Sequence, residues 1–377
     1  MPIYLDYAAA TPLDPRVLKV MQPYFKEEFG NPSSIHQFGQ GARRAIDDAR
    51  LKCVQLLGAF SVHEILFTGS GTESCNAALF GAAFARQKSK NRPGHLIVSA
   101  IEHPAVLESA RFLHDNFGFE LSEVPPDAEG LIHPKAIEAA LRPDTILISV
   151  MLVNNEVGTL QPVRKIAKLA RERGILMHTD ACQAPGFTDI NVDHLGVDLL
   201  SLNGSKIYGP KGIGLLYVRE GVKIMPLIHG GGQEFRMRGG TENTALIVGF
   251  AKALELVLKD SKKEAARLGK LRDTLQKALL KIPGVKVNGS LERRIQNSLN
   301  VQVSGVTGET LVMRLDLEGL AASSGSACSS GKTEASHVLL AMGQDKQSAL
   351  ASLRLTLGRF TTPSEIKKAT AILKKVI

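Results

Sequence analysis

The chain has 377 residues, 44% of them hydrophobic and 22% charged, with a formal net charge of +9. That is the balance of a folded globular protein, which excludes collagen-like and disordered classes, and the length suits one large domain with a smaller companion. No apolar stretch approaches about 18 residues and no basic stretch precedes an apolar run at MPIYLDYAAATP, so neither a spanning helix nor a signal peptide is expected, and a cytoplasmic location is.

In chain order, Glu64–Thr68 is the first continuous apolar run that reads as a buried strand, and a helix is expected over Thr72–Arg86. His95–Ser99 reads as a second strand with a helix at Ala105–Phe117; a further helix is expected at Pro134–Leu141 and a third strand at Thr145–Val150. A helix at Pro162–Arg173 then leads to strands at Ile175–Thr179, Asp198–Leu202 and Gly214–Val218. Apolar strands alternating with helices predict a largely parallel sheet covered on both faces. Asn243–Lys259 reads as a long helix leaving that unit, followed by a basic amphipathic helix at Lys259–Lys281, strands at Val285–Asn288 and Ser298–Val303, and a last helix at Pro363–Val376. These later pieces suit a smaller α+β unit.

The basic excess sits at the end of the chain. Residues 251–377 carry 21 Lys+Arg against 11 Asp+Glu, and the preceding residues 25 against 26. The lysines are scattered along amphipathic helices without interleaved aromatics, so a solvated face is expected and direct nucleic-acid binding is not. Cys53, Cys75, Cys182 and Cys328 lie far apart with no CxxC pair, which argues against a disulfide framework or a metal site.

In open α/β sheets, ligands lie beyond the carboxyl ends of the strands. After the first strand comes Gly69-Ser70-Gly71-Thr72-Glu73, a glycine turn opening a helix, which can cradle a phosphate or simply cap the helix. No Gly-Lys-Ser/Thr follows, so it is not a nucleotide P-loop. His103 follows the second strand, Asn154-Asn155-Glu156 the third, Asp180 and Gln183 the fourth, and Gly204-Ser205-Lys206 the fifth. Each alone has a bland reading as a cap, a core histidine or a surface lysine. Together they make up the inventory of a pyridoxal-phosphate (PLP) site: a phosphate cradle, an imidazole to stack, a lysine for the Schiff base and an acid to keep the pyridine nitrogen protonated.

From there a resemblance becomes clear. Tyr4-Leu-Asp-Tyr-Ala, Gly30-Asn-Pro-Ser-Ser, Phe67-Thr-Gly-Ser-Gly-Thr-Glu-Ser, Glu102-His103, Asn154-Asn-Glu-Val-Gly, His178-Thr-Asp-Ala-Cys-Gln183 and Lys206-Ile-Tyr-Gly-Pro-Lys-Gly are followed by His229-Gly-Gly-Gly, Arg238-Gly-Gly-Thr-Glu-Asn, Ser323-Ser-Gly-Ser-Ala-Cys328 and Arg354-Leu-Thr-Leu-Gly-Arg-Phe. In this order they resemble the cysteine desulfurase (NifS/IscS-like) family, fold-type I PLP enzymes among the class-V aminotransferases. The resemblance implies an α/β fold with a mostly parallel seven-stranded sheet. Residues 13–250 are expected to form the large PLP-binding domain, and residues 1–12 with 251–377 a small α+β domain carrying the Cys328 loop.

It also implies roles. Lys206 holds PLP and shuttles a proton, His103 stacks on the ring and assists, and Asp180 pairs with the pyridine nitrogen. Asn155 and Gln183 contact ring substituents; Gly71, Thr72, Asn203, Gly204 and Ser205 hold the phosphate; Thr241 reaches the phosphate of a neighbouring subunit, hence a homodimer. Arg354, with Asn155, binds the carboxylate of L-cysteine. Cys328 takes the sulfur as a persulfide and passes it to an acceptor protein, a scaffold or a tRNA-thiolation enzyme, while alanine leaves.

The sequence departs from the family pattern at Ser205, where a histidine is usual before the lysine, at Asn203, usually serine, and at Leu152, a histidine in many members. A hydroxyl and an amide donate to phosphate but bring no positive charge, so altered PLP retention is expected. The longer C-terminal tail by which many members dock a scaffold is not seen. Selenocysteine lyase and class-V aminotransferase are the neighbouring activities, and a non-catalytic scaffold for RNA or a sulfur carrier is the remaining reading.

Overall fold

The structure is a computed structural model that describes residues 2–90, 92–324 and 334–377. Its strands are β1 (Ile3–Tyr4), β2 (Ile65–Thr68), β3 (His95–Ser99), β4 (Glu120–Val124), β5 (Thr145–Ser149), β6 (Leu176–Asp180), β7 (Leu199–Asn203), β8 (Gly214–Val218), β9 (Val285–Asn288), β10 (Ser298–Val303), β11 (Leu320–Ala321) and β12 (Ser352–Thr356).

Seven of these form the main sheet in the order β2-β8-β7-β6-β5-β3-β4. Pairing is parallel from β7 through β4, and β8 runs antiparallel to both β2 and β7. The carboxyl ends of β2, β3, β5, β6 and β7 therefore open on one edge. Strands β2, β3, β5, β7 and β8 are buried almost throughout because helices cover both faces. On one face the helices Gly71–Lys90 and Pro104–Phe117 pack through Ala78, Leu79, Ala82, Leu107, Ala110 and Leu113. On the other, Gln37–Leu57, Val163–Glu172 and Thr244–Lys259 bury Ile46, Cys53, Leu57, Ile166, Ala170, Phe250 and Leu254. The last of these helices keeps Ala251, Ala253, Leu256 and Val257 in the same core.

Two elements of this unit escape a reading based on apolar runs. Strand β4 (ELSEV) is a sheet edge with a mostly polar, half-exposed sequence. Gln37–Leu57 is rich in charge on its outer side; His36 caps its start, and Gly58 (φ 64°) ends it in the left-handed region that glycine adopts without strain.

A second core joins Leu268, Leu275 and Leu279 of the helix Ser261–Leu279 to Leu299, Val301, Leu353, Leu355 and Leu373. It is built on the antiparallel sheet β12-β10-β9, and Ile3 and Leu5 from the start of the chain belong to it through the parallel pair β1–β11. The basic helix breaks at Asp260, and its lysines 262, 263, 270 and 277 are exposed, the solvated face expected from their spacing. Strand β12, which carries Arg354, was not legible as a strand in the sequence.

Candidate active site

Nine of the residues singled out in the sequence line one cleft of about 290 Å³ at the carboxyl edge of the main sheet: Gly71, Thr72, His103, Asn155, Asp180, Gln183, Asn203, Lys206 and Arg354. They come from six separate stretches of chain: five follow strands of the main sheet, and Arg354 reaches in from β12. Ala8, Ala9, Met151, Val153 and Cys182 complete the wall.

Gly71 is the first residue of the helix Gly71–Lys90, so its free N–H groups and the positive end of the dipole face the cleft. The residue has to be glycine: a Cβ there would lie 2.9 Å from both Asn203 Cβ and Cys182 Sγ. At the end of β7, Asn203 Oδ1 accepts from the backbone N–H and the hydroxyl of Ser205, both at 3.1 Å, and so caps the short turn Gly204–Lys206. Gly204 is buried as the first residue of that turn and Ser205 is half-buried; neither lines the cleft.

Asp180 ends β6, is 7% exposed, and holds the N–H of Cys182 at 2.9 Å. His103 caps the helix Pro104–Phe117, its Nδ1 accepting the Ala105 N–H at 3.0 Å. That fixes the ring proton on Nε2 when the ring is neutral. Burial lowers the pKa of His103, Asp180 opposes the shift, and Lys206 and His337 reinforce it, so the ring is neutral at pH 7. Burial raises both thiols near the cleft, Cys75 and Cys182, well above the ordinary range, which makes them small packed groups rather than nucleophiles.

The start of the chain takes a part that the strand-end reasoning missed. Lys206 Nζ donates to the carbonyls of Ala8 (2.9 Å) and Ala9 (2.5 Å), and Gln183 Nε2 donates to Ala8 O at 2.9 Å. Thr11 pins this strap, its N–H and its hydroxyl both donating to Ser205 O. Arg354 Nη2 donates to Asp6 Oδ1 at 3.0 Å and Nη1 to Asn155 O at 3.1 Å. The only signal in the sequence was the matching stretch Tyr4-Leu-Asp-Tyr-Ala. Glu73 is a second omission: it takes the Gly69 N–H at 2.7 Å and Arg238 Nε at 2.9 Å, tying the cradle to a distant loop. Thr241 is exposed and does not line this cleft, and Cys328 lies outside the described residues.

Two polar atoms of the cleft residues, Asn155 Oδ1 and Arg354 Nε, are buried with no hydrogen-bond partner among the described residues. Such atoms are costly unless a ligand satisfies them. With a helix N-terminus crowded to glycine, a buried carboxylate and a lysine amine around one cleft, the residues fit a small anionic group with a basic ring, which is what PLP is.

Residues 3–369 match the model of the aminotransferase class-V family, and the chain belongs to that family of PLP-dependent enzymes. It is 48% identical to the cysteine desulfurase IscS of Dictyoglomus turgidum over all of this chain and 94% of that one. The IscS of Methanosarcina thermophila is 46% identical over all of this chain and 92% of its own. Among solved structures, a NifS-like protein superposes with a TM-score of 0.91 at 36% identity, covering 100% of this chain and 98% of that one. SspA, solved in complex with cysteine, gives 0.84 at 38% identity over 96% of this chain and 100% of that one. Within the family, the chain stands among the cysteine desulfurases.

Proposed function

We propose that the chain converts L-cysteine to L-alanine and carries the sulfur on Cys328 as a persulfide, for iron–sulfur cluster assembly or tRNA thiolation. The observation that supports this best is the convergence of Asp180, His103, Lys206 and Arg354 on one cleft, in a chain whose relatives are cysteine desulfurases.

In this reading the N-terminus of the helix at Gly71 and Thr72, with Asn203, would hold the PLP phosphate, while Gly204 and Ser205, set back from the cleft, form the turn that follows Asn203. Asp180 would hold the pyridine nitrogen in its protonated form, and His103, Asn155 and Gln183, which line the same cleft, would hold the rest of the ring. When bound, PLP supplies an electron sink that makes the substrate Cα–H acidic and lets the Cβ–S bond break. Arg354 anchors the substrate carboxylate, which fixes the amino acid in one orientation. Lys206, held near the Ala8 and Ala9 carbonyls, takes the Cα proton and returns protons to the carbon fragment. Neutral His103 offers Nε2 for the same traffic. The Cys328 thiolate attacks the substrate sulfur: an S–S bond forms, the C–S bond breaks, and the electron pair stays with the fragment that leaves as alanine.

Thr241, exposed in the single chain, reaches a second subunit's phosphate in a homodimer, and a sulfur-acceptor protein takes the persulfide. No helix among the described residues is long and apolar enough to cross a membrane, and the reading places the enzyme in the cytoplasm.

The test is alanine and sulfide release from L-cysteine by PLP-loaded protein with a thiol reductant and no keto acid, run beside Cys328→Ala. Equal amounts of both products that vanish in the variant support the persulfide route. No alanine from protein with normal PLP absorbance overturns it and makes selenocysteine and amino-acid/keto-acid pairs the next substrates.

A further inference from the structure

Arg354 extends from β12 with its side chain 6% exposed, so it needs a counter-charge within the protein. Asn155 O supplies only a dipole at 3.1 Å. The charge comes from Asp6, whose Oδ1 takes Nη2 at 3.0 Å. Asp6 is held in place by its backbone, which bridges Thr356 two residues beyond Arg354, while Thr356 N donates to Leu5 O at 2.7 Å. Its carboxylate is more open than the arginine, at 18% exposure.

The pair engages through one N–H and one oxygen, not the two parallel bonds of a fork. The third face of the guanidinium, Nε, is buried and has no partner among the described residues. A ligand carboxylate that makes a two-pronged bond here can use Nε, but its second prong has to share or displace Nη2 from Asp6. It also brings a second negative charge to a site that Asp6 has already neutralised.

We propose that Asp6 is the resting counter-ion of Arg354 and a positioning residue that competes with the amino-acid carboxylate, setting how tightly the substrate is held. The proposal rests on the reading that Arg354 receives that carboxylate. The competition keeps the arginine paired between turnovers and keeps the alanine product from binding too long. It acts on the carboxylate end of the ligand alone.

The experiment titrates L-alanine and, separately, ethylamine, which has no carboxylate, into PLP-loaded wild-type, Asp6→Asn, Asp6→Ser and Arg354→Gln proteins, following heat and PLP absorbance. With like charges no longer juxtaposed, Asp6→Asn and Asp6→Ser bind L-alanine about three- to tenfold more tightly and bind ethylamine unchanged. KM for L-cysteine falls in parallel while kcat does not rise. Arg354→Gln loses L-alanine binding by about a hundredfold or more and keeps ethylamine. The two Asp6 variants guard each other against a folding defect. Weaker or equal L-alanine binding in both, with Arg354→Gln still defective, overturns the competition and leaves Asp6 a plain anchor. Wild-type L-alanine binding by Arg354→Gln overturns the carboxylate reading itself, and the proposal with it.

Discussion

Glu102, next to His103, is fully buried, and replacing it with glutamine tests whether its carboxyl group is neutral in the folded enzyme. Oε1 takes the Ser99 hydroxyl and the Met151 N–H, while Oε2 has no partner among the described residues. Burial pushes the carboxyl up from 4.5 to about 8, with the Ser99 and Met151 bonds opposing and Asp180 adding to the rise. The folded group thus holds a proton that the unfolded chain gives up. Below pH 4.5 both states are protonated and nothing is lost; between 4.5 and about 8 stability falls as pH rises; above that the loss is complete. At 1.36 kcal/mol per pKa unit the full loss is about 5 kcal/mol.

Glutamine copies the protonated carboxyl: its carbonyl takes both donors and its amide replaces the unpaired oxygen. Urea-unfolding curves of wild type and Glu102→Gln should therefore lie within about 1 kcal/mol at pH 5 and separate with rising pH. By pH 9 the variant should be the more stable by several kcal/mol. A constant offset from pH 5 to 9 would refute the reasoning, because it would mean that Glu102 is ionised throughout. The neutral carboxyl has a use: it adds no second negative charge beside Asp180.

Gly71→Ala forces a Cβ against Asn203 and Cys182 and should weaken PLP binding more than about tenfold, read by absorbance titration of apo-protein, since the helix N-terminus has to shift. Arg238→Gln leaves the Glu73 charge in the first helical turn uncompensated; PLP affinity should fall about two- to fivefold, and the double variant with Glu73→Gln should recover it. Glu234→Gln strips the buried Arg50 of its counter-charge, at a turn where Glu234, Phe235 and Arg236 all have positive φ. Urea unfolding should show a loss of about 3–5 kcal/mol, and a loss below about 1 kcal/mol would mean that Arg50 finds another partner.

The sequence by itself determined the main sheet's architecture and most of the cleft. Apolar runs specify buried strands wherever helices cover both faces, so β2, β3 and β5 to β8 were legible, and polar residues at their carboxyl ends stood out against them. The same logic misses what is polar or local: the half-exposed edge strand β4, and the helix Gln37–Leu57 with its charged outer side. Residues 298–303 read as a strand, but β12 and its Arg354 were visible only through the matched motif. Only the tertiary structure decided that residues 3–11 fold back across the site, because that depends on backbone carbonyls and on contacts spanning most of the chain, as in Asp6 with Arg354 and Ala8 with Lys206. It also decided that Asn203 and Ser205 bond to each other, and that Glu102 lies where its charge is costly. A residue type and its neighbours in sequence fix which bonds a side chain can make; burial and distant partners fix which ones it does make.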